Sequence, residues 1–134
     1  MTLGIERSPT FRALVDTITR SDLIVYITAQ FDMSVQLDGE IHLVTSVGNH
    51  RYMRILVRSE LSPWDRCAMV AHELQHAREV ADAPSVRDNA TMDALYHEIG
   101  FGVGTDRHET DAARDVAIRV TQELSPGWTP PGQR

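Results

Sequence analysis

The residues best suited to chemistry in this chain are His72, Glu73 and His76, which form the pattern H-E-x-x-H. Two histidines four positions apart on a helix share one face, so their imidazoles can converge on one metal ion. Glu73 lies about 100° round the helix from His72, near enough to act on a metal-held water without displacing a ligand. Such a set is suited to amide hydrolysis. It predicts one Zn²⁺ per chain, with His72 and His76 as ligands and Glu73 as general base.

The sequence around the motif predicts the helix that this geometry requires. Ser62 is placed as an N-cap, Pro63 occupies the first helical position, and Asp65 follows as an acidic capping partner. The stretch from Pro63 to about Ala81 contains no further proline and no glycine, and Pro84 then stops the helix. Apolar residues occur on both sides of this helix, which predicts that it lies in the middle of a domain.

Composition indicates one compact domain. The 134 residues are 42% apolar, enough for a single core, and we assign residues 1–124 to it and 125–134, rich in proline and glycine, to a flexible tail. The single cysteine, Cys67, excludes an intramolecular disulfide, and its position opposite the histidines predicts core packing. A net charge of −6 argues against nucleic acid as a partner.

Membrane insertion and secretion are not indicated. No apolar run approaches the roughly 18 residues that a membrane span needs. The N-terminus, Met1–Gly4, has no basic stretch followed by an apolar one. We therefore expect a cytoplasmic protein without a membrane span, although a signal peptide removed beforehand would leave no trace.

The order of predicted elements gives an α+β fold. A cap and first-turn proline at Ser8-Pro9 begin a helix that runs to about Arg20. Three strands rich in β-branched residues follow, the last two separated by a turn at Gly48-Asn49. The predicted strands are 23–29, 41–47 and 52–57, and the predicted helices after them are 63–81, 86–99 and 107–124, the last two linked through glycines 100, 102 and 104.

A third metal ligand is sought in the last predicted helix. Glu109 is in register with the apolar stripe that ends at Leu124, whereas His108 and Asp111 fall on the polar side. A carboxylate on the buried stripe is costly unless it is paired or coordinated, and a metal ion would provide the missing charge. Glu109 is therefore the predicted third ligand.

The H-E-x-x-H motif at His72–His76, together with Glu109 on a later predicted helix, resembles the metal site of the zincin metallopeptidases. It is most similar to that of the gluzincins, whose third ligand is a glutamate on a downstream helix. The order of elements over roughly residues 23–124 is similar to that of the small single-domain minigluzincins. The resemblance implies a zinc metallopeptidase, a hydrolase that acts on a peptide or protein substrate, with His72, His76 and Glu109 as ligands and Glu73 as base. It also implies an edge strand, assigned to Tyr52–Val57, that pairs with the extended substrate.

The chain departs from the gluzincin pattern at one position and offers two rival ligands. Many gluzincins carry an aspartate four residues after the ligand glutamate, where this chain has Ala113, so another group must orient a histidine. Asp82 stands at the last position of the metzincin pattern, but a continuous helix would place it about 15 Å along the axis from His72. Asp106 is one residue short of the aspzincin pattern.

Two assignments have plain alternatives. Tyr96 is a candidate second catalytic residue, a donor to the developing oxyanion, but its place on an apolar stripe also suits a core aromatic. The whole set of residues also suits a non-catalytic, zinc-stabilised binding or regulatory domain, or a zincin fold that binds no metal. The retention of Glu73 favours hydrolysis, because a purely structural site needs ligands but no base.

Overall fold

The computed structural model describes residues 1–33, 37–100 and 108–132, and these form the predicted α+β fold. In chain order the elements are helices α1 (Thr2–Arg7) and α2 (Pro9–Thr19), strands β1 (Leu23–Gln30), β2 (Gly39–Val47) and β3 (His50–Arg58), and helices α3 (Pro63–Ala81), α4 (Asn89–Ile99) and α5 (Asp111–Leu124). Among the described helices, none has the length and apolar character needed to cross a membrane. The described part of the tail, 125–132, forms turns rather than a helix or strand.

The three strands form a mixed sheet in which β3 is central. β3 pairs in parallel with β1 and antiparallel with β2, and the turn between β2 and β3 contains Gly48 at φ 58°, a conformation that glycine adopts at little cost. The assignment of Tyr52–Val57 as an edge strand is therefore wrong, because that segment lies inside β3. The edges are β1 and β2. β1 pairs in parallel with β3, on the side opposite to β2. This pairing is between segments distant in sequence, so no local pattern specifies it.

Helix α3 occupies the middle of the fold, as its two apolar sides predict. It packs against α2, α5 and all three strands. Cys67 is buried on one side of the helix, and His76 and Val80 are buried on the other. The predicted core position of Cys67 is confirmed.

A buried arginine holds the C-terminal end of α3 against the sheet. Arg51 of β3 is 1% exposed, and its Nε and Nη2 donate to the two carboxylate oxygens of Asp22 at 2.6 and 2.8 Å. Its Nη1 lies 3.0 Å from each of the carbonyl oxygens of Val80, Ala83 and Val86. A helix leaves its last carbonyls without partners and favours a cation at that end. Arg51 therefore provides a positive charge and hydrogen-bond donors at the C-terminal end of α3, the helix that carries the H-E-x-x-H motif.

Three helix boundaries differ from the predictions. An additional helix, α1, precedes the predicted N-terminal one and ends at Arg7. The next residue, Ser8, has an extended backbone, the conformation that Pro9 favours in its neighbour. α4 begins only after Asp88, which forms a capping box with Thr91. α5 begins after Thr110 rather than at about 107, because the Thr110 side chain caps it. Glycines 102 and 104 of the predicted link lie outside the described residues.

Candidate metal centre

Helix α3 presents both motif histidines to the protein interior. The hydroxyl of Ser62 accepts from the main-chain nitrogen of Asp65 at 3.2 Å, and the helix is continuous from Pro63 to Ala81. His72 and His76 therefore lie one turn apart, with ring centroids separated by 5.0 Å in an edge-to-face arrangement. His76 is 2% exposed and the side chain of His72 is 14% exposed. Neither imidazole is mainly solvated, as a metal site inside a protein requires.

Glu109 reaches the histidines from outside any helix. The expectation that it lies on the buried stripe of α5 is wrong, because α5 begins two residues later and Thr110 is its N-cap. Its carboxylate nevertheless meets the histidines, with Oε1 at 3.2 Å from Nε2 of His72 and 3.9 Å from Nε2 of His76. The structure thus brings Glu109 next to both histidines, although the helical position predicted for it was wrong.

The donor set formed by His72, His76 and Glu109 suits a zinc ion. One ligand atom from each lies within 4.8 Å of the others. Ligands bonded at 2.0–2.1 Å to a tetrahedral ion are about 3.3 Å apart. Oε1 of Glu109 lies 3.2 Å from Nε2 of His72 and 3.9 Å from Nε2 of His76, which is near this spacing. Two imidazoles and a carboxylate leave a fourth position for water or substrate, the arrangement typical of catalytic rather than structural zinc.

The ring of His76 is held from its other nitrogen by Glu79, a residue that the sequence reasoning did not select. Nδ1 of His76 donates to Oε1 of Glu79 at 2.8 Å. Burial alone would lower the pKa of His76, but this hydrogen bond and the charges of Glu73, Glu79 and Glu109 outweigh it and raise the pKa. Burial would in turn raise the pKa of Glu79, but its hydrogen bonds lower it, so the carboxylate stays ionised.

His72 has the opposite electrostatic environment. Burial and the nearby imidazole of His76 lower the pKa of His72, and the charges of Glu109 and Glu79 only partly offset this effect. The neutral form is the one that binds a metal, so His72 is favoured as a ligand at neutral pH. Arg114 lies near the carboxylate of Glu109, with the arginine Nε 3.6 Å from Oε2.

Glu73 is buried near the candidate ligand His76 and next to the start of β2. Glu73 is 5% exposed, and the charge of its carboxylate is close enough to raise the pKa of His76. A Cβ added to Gly39 would lie 3.3 Å from Oε1 of Glu73 and 2.6 Å from Cγ of Met69. A side chain at the first position of β2 would therefore crowd Met69 and come close to the carboxylate of the proposed base, so the small size of Gly39 lets β2 pack closely against this part of α3.

Tyr96 is buried near the centre, but its hydroxyl is engaged on the Nδ1 side of His76. It donates to Oε1 of Glu79 at 3.0 Å and lies 3.1 Å from the carbonyl oxygen of His76. Glu109 approaches His76 from the Nε2 side instead, with its Oε1 at 3.9 Å. Burial and the charge of Glu79 raise the pKa of Tyr96, so its proton is firmly held. The predicted role as an oxyanion donor would require the hydroxyl to leave both acceptors.

The rival ligands do not join the cluster within the described residues. Asp82 is an exposed residue at the C-terminal cap of α3, and Asp111 is exposed at the start of α5. His108 instead pairs with Asp93, Nε2 to Oδ1 at 2.7 Å, and stacks on Tyr96 at 4.6 Å between ring centroids. Asp106, the aspzincin-like alternative, lies outside the described residues.

The fold and the cluster define a small α+β protein with a candidate two-histidine, one-glutamate metal centre on its central helix. No protein-family model matches the chain, and comparisons with curated proteins and with solved structures give no match either. The geometry of the site itself is therefore the basis for assigning a function.

Proposed function

We propose that this chain is a zinc-dependent metallopeptidase that hydrolyses peptide bonds in a peptide or protein substrate. One observation carries the proposal: the ligand atoms of His72, His76 and Glu109 lie within 4.8 Å of one another, with the carboxylate of Glu73 buried next to them. A structural metal site needs no additional carboxylate, whereas hydrolysis needs a base within reach of the attacking water.

The roles of the side chains follow from their positions. His72, His76 and Glu109 would hold the zinc ion, which supplies a Lewis acid and lowers the pKa of water. Glu73 would accept a proton as the water oxygen attacks the peptide carbonyl carbon. The same carboxyl group would then deliver that proton to the amine nitrogen when the carbon–nitrogen bond breaks. One water is consumed, and a carboxylate and a protonated amine are released.

Strand β2 is the edge that suits an extended substrate. Arg58 donates its main-chain N–H to the carbonyl of Asp38, so alternation along the antiparallel pair directs the main-chain groups of Gly39 and Ile41 away from β3. The first of these residues is the glycine packed beside Glu73. We propose that a peptide pairs with this end of β2, in place of the segment that the sequence suggested.

The test begins with metal content. Wild-type protein and Glu109→Ala are purified, offered zinc, dialysed and compared for zinc per chain by elemental analysis. We expect about one zinc in the wild type and much less in the variant. Cleavage of an unstructured protein substrate by the zinc-loaded wild type is then measured by mass spectrometry. A wild type that binds no zinc would overturn the proposal, and zinc binding without any cleavage would favour the non-catalytic alternative.

A further inference from the structure

Glu79 lies at the centre of a hydrogen-bond network that links α3, α4 and the segment before α5. Its Oε1 accepts from Nδ1 of His76 at 2.8 Å and from the hydroxyl of Tyr96 at 3.0 Å. Its Oε2 accepts from the hydroxyl of Thr110 at 2.7 Å. The Glu79 side chain is only 11% exposed, and a carboxylate so enclosed is costly unless its oxygens are satisfied. Both oxygens are satisfied here.

This network determines which nitrogen of His76 faces the candidate metal site. A carboxylate accepts hydrogen bonds and does not donate them, so the proton of neutral His76 must lie on Nδ1. Nε2 then carries the lone pair, on the side where the carboxylate of Glu109 lies. The opposite tautomer would place a proton on Nε2, where a metal ligand needs a lone pair.

Thr110 connects the same carboxylate to the third ligand. Its hydroxyl donates to Glu79, and its main-chain N–H donates to Oε1 of Glu109 at 3.1 Å. The hydroxyl oxygen also accepts from the main-chain nitrogen of Ala113, at 3.2 Å, as the N-cap of α5. Glu79 therefore acts on His76 directly and on Glu109 through the neighbouring residue.

We propose that Glu79 is a positioning residue of the metal centre, which fixes the tautomer and direction of His76 and anchors the segment that carries Glu109. The inference rests on the proposed zinc site and adds a residue that contacts neither metal nor substrate. It also accounts for Ala113, where the gluzincin pattern has an aspartate. This chain takes its orienting carboxylate from α3 itself, one turn after His76.

The experiment compares wild type with Glu79→Met, which keeps an elongated side chain but has no acceptor oxygen. Zinc affinity is measured by competition with a chromophoric chelator. The tautomer of His76 is read by ¹⁵N NMR of the metal-free protein at a pH where the ring is neutral. We expect zinc affinity to fall about 10–100-fold and the Nδ1–H tautomer to lose its dominance.

Two further variants separate positioning from stability. Glu79→Gln keeps one acceptor oxygen without the charge, so its affinity should lie between those of wild type and Glu79→Met, and it serves if the Met variant does not fold. Glu123→Met is the matched control, because Glu123 is a buried carboxylate that accepts from the hydroxyls of Ser8 and Thr10 at 2.6 and 2.7 Å. It lies about 18 Å along α5 from the start of that helix, and its loss should lower stability without changing zinc affinity.

The outcomes distinguish this inference from the proposed function. A folded Glu79 variant with wild-type zinc affinity and an unchanged His76 tautomer would overturn the positioning role and leave the zinc site intact. Wild-type protein that binds no zinc would overturn both. Zinc-loaded wild type that cleaves no peptide, combined with weaker zinc binding in the Glu79 variants, would overturn the peptidase proposal and support the positioning role.

Discussion

Gly100 lies directly against the main-chain carbonyl of Glu109, so close that a Cβ built on Gly100 would come within 2.5 Å of that oxygen. The same Cβ would lie 3.1 Å from the carbonyl oxygen of Tyr96. Both neighbours are backbone atoms, which cannot rotate aside as a flexible side chain can. The end of α4 and the segment that carries the third proposed ligand are thus packed backbone to backbone, and only glycine permits this approach.

Gly100→Ala should therefore weaken zinc binding although Gly100 is not a ligand. The added methyl group would collide with the main-chain carbonyl of Glu109. We expect the resulting shift to misplace Glu109 relative to the histidines and to lower zinc affinity roughly tenfold. Gly4→Ala is a matched control, because a Cβ there would crowd Cys67 and Phe11 on the other side of α3. It should lower the thermal unfolding midpoint and leave zinc affinity unchanged. Equal zinc affinity in wild type and Gly100→Ala would contradict the prediction.

Glu73→Gln should retain zinc and lose hydrolysis. The amide has nearly the same shape as the carboxylate but cannot accept the proton, so we expect the rate of peptide cleavage to fall about 10²–10⁴-fold. His72→Ala should lose both metal and activity, because it removes a ligand. Elemental analysis and a cleavage assay on the same preparations separate the two effects. Substantial cleavage by Glu73→Gln would exclude Glu73 as the base.

Zinc affinity should fall steeply below about pH 6, because both histidines must be neutral to bind. In the metal-free fold the pKa of His76 is raised, since the Glu79 hydrogen bond and nearby carboxylates outweigh burial. Protons therefore compete with zinc at His76 from a higher pH than at His72, whose pKa burial lowers. Isothermal titration calorimetry from pH 5 to 8 measures this. An affinity that stays constant over the range would argue against histidine ligands.

The Asp22–Arg51 ion pair should make a contribution to the free energy of unfolding that is lost at acid pH. The hydrogen bond from Arg51 lowers the pKa of Asp22 below its ordinary 3.8. The contribution is therefore complete above that ordinary value and is lost as the pH falls through the lower value of the folded state. Urea unfolding of wild type and Asp22→Asn should differ most at neutral pH, and the difference should shrink in strong acid.

An exposed aspartate provides the comparison for that experiment. Asp115→Asn, on the surface of α5, should leave the urea midpoint close to that of wild type at every pH. If Asp22→Asn behaved in the same way, the ion pair would make no measurable contribution to stability.

Local sequence signals predicted those parts of the fold that depend on neighbouring residues. The cap at Ser62 with Pro63 and the stop at Pro84 fixed α3 to its observed bounds, Pro63–Ala81, and the pair Gly48-Asn49 marked the turn between β2 and β3. The spacing of His72 and His76 gave their common face. All of these features act over a few residues of chain, where dihedral preferences and helical periodicity decide the outcome.

Features that depend on long-range packing could not be predicted in the same way. β3 is central because β1 pairs with it rather than with β2, the next strand in sequence. A parallel pair of this kind has no connecting turn that could be recognised in the sequence. Glu79 looks in the sequence like an ordinary charged helix residue, and only the packing of α4 and of the segment before α5 encloses it. Arg51 shares a face of β3 with Met53, Ile55 and Val57, but an arginine on a core face is unexpected from sequence. Only the packing of Asp22 and the end of α3 around it provides partners for its buried charge.

The position of Glu109 outside α3 gives the proposed metal a mechanical role as well. An ion bound to His72, His76 and Glu109 would be a cross-link between the central helix and the segment that begins α5. Binding to the folded chain alone shifts the folding equilibrium, by about 2.7 kcal/mol when free zinc is 100 times its dissociation constant. A chelator would then lower the melting temperature along with any activity. Where zinc is scarce, a larger fraction of the protein molecules would be unfolded and exposed to degradation.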